Sequence, residues 1–205
     1  MSKKRSIFAF KKALCQLLKT KNLEKIRVIE ICELADYSSM TFYQNYQDKY
    51  DLALSILKDE ITMIVNTSYS AVKEGALHNY DTYVSNTSQD IFTHIKNNND
   101  IYDCIFQNKL MNNCIDYIAK ECTNLVQLKI DIQNENPNSY EYYNFILVMS
   151  FKSLLLTSKF WQEHSYDISS TELSKIYLSY VKGLEFSSNI DTTNGQKLQV
   201  KFYTK

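Results

Sequence analysis

A short run of hydroxyl, phenol and amide side chains, S-S-M-T-F-Y-Q-N-Y-Q-D-K, begins at Ser38 and ends on a lysine. Side chains of these types can hydrogen bond phosphate oxygens and the edges of nucleic-acid bases. Gln44 can pair bidentately with adenine, whereas Met40 can offer only apolar contact, for instance to a thymine methyl group. The run therefore indicates contact with a nucleic acid, although a short polar helix can also be a solvated face without a partner.

The rest of the chain carries no motif typical of catalysis or of metal binding. It contains no Ser-His-Asp arrangement and no paired-carboxylate signature, and with three glycines in 205 residues a glycine-rich phosphate loop is nearly excluded. The histidines His78, His94 and His164 are scattered and have no metal-ligand spacing to carboxylates or cysteines. We therefore expect no enzyme, no metal and no cofactor.

Cysteine usage and hydropathy predict a cytoplasmic protein without a membrane span. No C-x-x-C spacing and no signal peptide is found, which favours reduced, buried cysteines over a thiol sensor. The longest apolar run, Phe145 to Met149, is too short to cross a bilayer. The cysteines are odd in number: Cys15, Cys32, Cys104, Cys114 and Cys122.

Charge is distributed unevenly along a chain whose formal net charge is zero. Residues 1–50 hold ten lysines and arginines against five aspartates and glutamates, a net charge of +5. Because the whole chain has a net charge of zero, the remaining residues carry −5. A basic first quarter suggests contact with a polyanion, although chance scatter of a few charges is the alternative.

Two short helices are predicted around the polar run. The first extends from about Arg27 to Leu34, with Val28, Ile31 and Leu34 at helical spacing, and Ala35-Asp36-Tyr37 breaks it. The second extends from about Ser39 to Tyr46, with Ser38 as its N-cap. Two helices joined by so tight a turn form a helix-turn-helix, whose second helix fits the DNA major groove.

These residues resemble the N-terminal DNA-binding domain of the TetR (tetracycline-repressor) family. The likeness is detailed over roughly residues 7–54. It departs from the family at Asp36, where a turn glycine is usual, at Asn45, where a histidine is common, and at Arg27, in place of a small N-cap. Aspartate tolerates the left-handed conformation that such a turn needs. The matching residues are Ile26, Val28, Ile31, Ala35, Ser38, Thr41, Phe42, Tyr43, Tyr46, Lys49 and Leu52.

The resemblance implies roles for individual side chains. Tyr43 and Lys49 would grip phosphates, while Ser39, Met40 and Gln44 would read base edges, and Asn45 could donate to a phosphate or read adenine. The basic N-terminus could also reach phosphates. The complete set expected to contact DNA is Lys3, Lys4, Arg27, Ser38, Ser39, Met40, Thr41, Tyr43, Gln44, Asn45 and Lys49.

Helical periodicity continues through the chain and predicts an all-α protein in two parts. An amphipathic helix over residues 6–20 should close a three-helix core over Ile31, Leu34 and Phe42. Residues 1–48 would form the helix-turn-helix domain and residues 49–186 a larger helical domain for effector binding and dimerisation. Residues 187–205 would be a polar tail. Further helices are predicted over residues 48–69, 80–95, 101–106, 110–132, 139–164 and 169–184, with loops over 72–79 and 133–139.

The larger domain is expected to form a homodimer and a pocket. The last two helices are apolar on more than one face, and in the TetR family they pair with their twins in a four-helix interface. A stripe of aromatic and methionine side chains could line an effector pocket, although such a stripe is more often simply core. The expected interface residues are Ser153, Leu154, Thr157, Phe160, Trp161, Tyr177, Tyr180 and Val181. The expected pocket residues are Phe92, Ile95, Phe106, Met111, Ile115, Tyr142, Phe145 and Met149.

The expected function is that of a sequence-specific transcriptional regulator. The favoured version is a repressor that binds a near-palindromic operator in double-stranded DNA as a dimer and is released by a small apolar or aromatic effector. The alternative keeps the architecture but activates transcription or answers to a protein partner. An effector-sized cavity would favour the first version, and a filled core the second.

Overall fold

Helices are the only regular secondary structure in the described part of the protein, which confirms the predicted fold class. The structure is a computed structural model that describes residues 2–73, 80–129 and 137–187. The predicted tail lies outside the described residues, apart from Ser187, which ends the last helix. The helices in chain order are α1 (Ser2–Leu18), α2 (Val28–Ala35), α3 (Ser39–Tyr43), α4 (Lys49–Lys73), α5 (Tyr80–Asn97), α6 (Asn99–Phe106), α7 (Cys114–Lys129), α8 (Pro137–Glu163) and α9 (Ser170–Ser187).

The first three helices pack around a small aromatic and aliphatic core. Phe10 and Leu14 from α1 meet Ile31 from α2 and Phe42 from α3, and all four are fully buried. The rings of Phe10 and Phe42 pack edge to face with their centroids 5.3 Å apart. Leu34 was expected in this core, but it is exposed because α2 turns its last leucine away from α1.

The remaining helices form a bundle in which α5 packs on α9, α7 on α8, and α4 on both α5 and α7. The short helix α6 lies where this bundle meets the N-terminal helices, because it contacts α1, α5 and α7. Among the described residues, one continuous hydrophobic cluster extends from Phe10 to Tyr177. The two parts therefore share a core at α1, α4 and α6.

Two helix boundaries differ from the sequence prediction. Pro137 was placed in a loop, but it begins α8, where a proline at the first helical position loses no hydrogen bond and already has a helical φ. Leu110 was expected to begin a helix, but α7 begins at Cys114, whose N–H is accepted by Asn108 Oδ1 at 3.0 Å. Asn108 and Asn113 both have positive φ, which interrupts the helix between them.

No helix among residues 2–73, 80–129 and 137–187 combines the length and apolar character that a bilayer crossing requires.

Candidate nucleic-acid interface

The corner between α2 and α3 is set by a left-handed aspartate. Asp36 has φ 58° and ψ 45°, as the sequence prediction required of the residue that replaces the usual glycine. Its N–H donates to the carbonyl of Glu33 at 3.3 Å, and the N–H of Tyr37 donates to that of Cys32 at 3.1 Å. These two bonds form a Schellman motif, which ends α2 and turns the chain sharply into α3.

The N-terminus of α3 is capped by the predicted residue. Ser38 has extended backbone angles, and its hydroxyl accepts from the N–H of Thr41 at 3.2 Å. Because Phe42 is fully buried, the helix has one fixed inner face. Met40 and Tyr43 are 74% and 59% exposed on the other side, and Gln44 is exposed as well.

Asn45 is half-buried, and its expected contact with DNA stays a prediction. Its Nδ2 donates to the carbonyl of Thr41 at 2.7 Å, and its Oδ1 is buried without a hydrogen-bond partner. The amide therefore caps the C-terminal end of α3.

Lys49 holds the backbone ahead of α2. Its ammonium donates to the carbonyl of Glu24 at 2.7 Å and to that of Ile26 at 2.8 Å. An ammonium group has three donors, so one is left for another acceptor such as a phosphate. The side chain thus ties the start of α4 to the segment that leads into α2.

The start of α2 lacks a side-chain N-cap but has an acidic substitute. Arg27 is exposed, and its guanidinium has no acceptor atom with which to cap a helix. Instead, the Glu30 carboxylate accepts from the Arg27 backbone N–H at 2.9 Å and forms an ion pair with Lys21. Lys21, followed by the Arg27 N–H, lowers the pKa of Glu30 to about 2.

The N-terminal basic residues remain candidates for phosphate contact. Lys4 is exposed in the first turns of α1, while the side chain of Lys3 lies outside the described residues. Ser39 and Thr41 are half-buried, and Ser38 is exposed.

The predicted pocket residues do not surround one space. Phe92, Ile95 and Phe106 are buried in the core, whereas Phe145 and Met149 are 63% and 48% exposed. The last two therefore cannot line an internal pocket, because they lie on the outer side of α8. Met111 is exposed and Ile115 half-buried, and the side chain of Tyr142 lies outside the described residues. A groove of about 300 Å³ opens instead beside the α2–α3 corner, against Cys32, Asp36 and Ser39 among others.

The predicted dimer-interface residues differ in their exposure within the protomer. Leu154, Trp161 and Tyr177 are buried within the protomer and offer no surface to a second copy. Trp161 is 2% exposed, and its Nε1 donates to the carbonyl of Ile168 at 3.1 Å. Phe160 and Tyr180 are exposed, while Ser153, Thr157 and Val181 are half-buried.

An exposed apolar surface nevertheless follows α8 and α9, and we call it the α8–α9 face. Its α8 members recur at intervals of four, seven and four residues, which places them on one side of the helix. Leu156 and Ile176 belong to it although they are not among the residues expected at the dimer interface. The face consists of Phe145, Met149, Leu156, Phe160, Ile176 and Tyr180.

A buried polar cluster joins α4, α5 and α6, and little in the sequence pattern pointed to it. Glu60 Oε2 accepts from the Tyr102 hydroxyl at 2.7 Å and lies 2.7 Å from His94 Nε2. Burial, reinforced by Glu60, raises the pKa of Tyr102 well above its usual range, so the hydroxyl remains a donor. A glutamate on an apolar helix face was the available sequence signal. The described residues contain no group of three or more histidine, cysteine or acidic side chains that could hold a metal.

Comparison of the sequence with protein-family models and with curated proteins gives no match. Comparison with solved structures does find similar chains. The fatty acid degradation regulator FadR from Bacillus halodurans superposes with a TM-score of 0.61 at 14% identity, covering 86% of this chain and 95% of that one. The chain has the TetR-like fold. A gamma-butyrolactone receptor (ArpA-like protein) is also similar, at a TM-score of 0.46 and 12% identity over 91% of this chain and 98% of that one.

Proposed function

We propose that this protein is a DNA-binding transcriptional regulator whose recognition helix is α3. The observation that carries the proposal is the orientation of α3: Phe42 is locked in the core while Met40, Tyr43 and Gln44 project outward. A short capped helix that follows a tight turn and presents its outer face is the element that docks in a major groove. The TetR-like fold and the FadR regulator that shares it support the same function.

Within this proposal the exposed side chains divide between two tasks. Met40 and Gln44 would contact base edges, with Ser39 at the start of the helix, and so determine sequence preference. Tyr43, Lys4 and the free donor of Lys49 would contact phosphates and contribute affinity that depends on salt. Arg27, Ser38 and Thr41 would add contacts at the edges of this surface. Lys49 would also hold the backbone before α2, which orients the whole unit.

The protein would bind its operator as a homodimer formed through the α8–α9 face. Six exposed apolar side chains on two adjacent helices are an unusual surface for a monomer, and a two-fold partner would cover them. Such a dimer presents two copies of α3 about 34–36 Å apart or slightly more, which requires a near-palindromic site.

The regulator would act as a repressor that a small effector releases by binding its DNA-incompetent arrangement more tightly. One observation favours the alternative, in which a protein partner controls the same architecture or the regulator activates. Phe92, Ile95 and Phe106 pack fully in the core and leave no lining for an effector at those positions. The proposal includes no catalytic activity and places the protein in the cytoplasm.

Selection of bound duplexes from a random pool by the purified chain tests the proposal. We expect enrichment of a sequence with two inverted half-sites, because two copies of α3 would read them. Recovery of unenriched sequence would refute sequence-specific binding. Repeating the selection with candidate metabolites separates the two versions of control: loss of enrichment with one of them supports a small effector, and uniform enrichment supports a protein partner.

A further inference from the structure

Two cysteines that are distant in sequence meet where α1 packs against α6. Cys15 and Cys104 are separated by 89 positions, and both are buried. The Cys104 Sγ–H donates to the carbonyl oxygen of Cys15 at 3.8 Å, so the sulfur of one cysteine lies against the backbone of the other. A disulfide, with an S–S bond of about 2.05 Å, joins cysteines that lie in contact on neighbouring backbones. The contact therefore brings together the two residues that a disulfide would join.

The edge of this contact is weakly closed. Lys19, just beyond α1, forms an ion pair with Asp100 in the first turn of α6 at 2.6 Å, and both side chains are half exposed. An exposed ion pair of this kind contributes little to stability, so it adds little to the cost of opening this edge. A water-sized oxidant would have to reach the buried sulfurs through such an opening.

We propose that Cys15 and Cys104 form a reversible disulfide that fastens α6 to the N-terminal helices when the protein meets hydrogen peroxide. The Cys104 thiolate attacks one peroxide oxygen, which gives a sulfenic acid and releases hydroxide. The Cys15 thiol then attacks the Cys104 sulfur, the S–S bond forms, and the sulfenic oxygen leaves as water while the proton from Cys15 is transferred. In total two thiols lose two electrons and two protons, and one peroxide becomes two waters.

The environment of the two thiols agrees with these roles. The hydrogen bond from Cys15 lowers the pKa of the Cys104 thiol, with Lys109 contributing in the same direction. That hydrogen bond and burial raise the pKa of Cys15, which suits a thiol that reacts second. Cys122, by contrast, has a pKa raised to about 12 by burial and serves as a control.

The disulfide would have a mechanical consequence. α6 is also held to α4 through Tyr102 and Glu60 and to α8 through Gln162 Nε2, which donates to Asp103 Oδ1 at 2.6 Å. A covalent link from α6 to α1 would fix the N-terminal helices against these elements. If the chain regulates transcription as proposed above, the oxidised form would lose the movement that couples effector binding to α3.

The test is peptide mapping of the full-length reduced chain after peroxide treatment, with free thiols alkylated before digestion. We expect a Cys15–Cys104 linked peptide as the main product and a Tm that rises by about 10 °C, because the link closes a long loop. Dithiothreitol should reverse both changes. Cys104→Ala should abolish both, and Cys122→Ala should retain both.

Other products would overturn the proposal. Conversion of Cys104 to sulfinic acid, a different cysteine pair, or a link that forms only in denaturant would each show that the two sulfurs do not react together in the folded chain. Mapping of the parent chain decides the matter even if a variant fails to fold. Since the mapping uses no DNA, its failure is separate from failure of operator binding.

Discussion

Removing one hydroxyl group from the cluster around Glu60 is expected to destabilise the fold measurably. Tyr102 is fully buried, and its hydroxyl donates to Glu60 Oε2 at 2.7 Å. In Tyr102→Phe the carboxylate keeps His94 but loses this donor, while the packing of the ring is preserved. A hydrogen bond to a charged group contributes about 1.5–3 kcal/mol, so the free energy of unfolding should fall by about 2 kcal/mol.

Tyr83→Phe is the matched control for this experiment. The Tyr83 hydroxyl donates to the neutral carbonyl of Ser68 at 3.3 Å, so its removal should lower the free energy of unfolding by about 1 kcal/mol or less. Urea unfolding followed by circular dichroism at pH 7 measures both values, with the m-value as a check that the transition is unchanged. Equal losses in the two variants, or a gain in Tyr102→Phe, would refute the view that Glu60 depends on its tyrosine donor.

Four further substitutions test other parts of the structure. Phe160→Glu places a charge in the α8–α9 face and should give folded monomers by sedimentation; a dimer of this variant would show that the interface lies elsewhere. Trp161→Ala should instead lower the free energy of unfolding by about 3–5 kcal/mol, because Trp161 is part of the core. Glu30 has a pKa lowered from 4.5 to about 2, so it stabilises the fold above pH 4.5 and this contribution disappears as the pH falls towards 2. The Tm difference between the parent and Glu30→Gln should shrink over that window, and a constant difference would contradict the assignment. Tyr43→Phe should weaken binding to all duplexes several-fold in fluorescence anisotropy, and unchanged affinity would exclude its phosphate contact.

Local signals in this sequence were sufficient to predict the corner between α2 and α3. Ser38 caps α3 and Asp36 adopts the left-handed conformation as predicted, because both are decided by side chains within a few residues. The Ser169–Glu172 capping box before α9 has the same local origin: the Glu172 carboxylate accepts from the Ser169 N–H at 3.0 Å, and the Ser169 hydroxyl accepts from the Glu172 N–H at 3.1 Å.

The sequence was least informative where a helix is apolar on several faces. Periodicity shows that Phe145, Met149 and Phe160 share a side of α8, but it does not decide whether that side or the side of Trp161 faces the core. Packing against α7 and α5 settles the choice, and it buries Trp161 while leaving Phe160 62% exposed. The contact between Cys15 and Cys104 was beyond prediction, because nothing local relates residues that lie 89 positions apart.

The most direct test of the central claim, that α3 reads DNA, is the base preference of Gln44→Ala on a selected duplex. Fluorescence anisotropy would compare the parent, Gln44→Ala and the control Gln16→Ala, an exposed glutamine on α1, on that duplex and on every single-base-pair variant of one half-site. We predict that Gln44→Ala loses about 1–3 kcal/mol of discrimination at one base pair and that Gln16→Ala loses none. Full discrimination at every position in Gln44→Ala would contradict the assignment of α3 as the recognition helix.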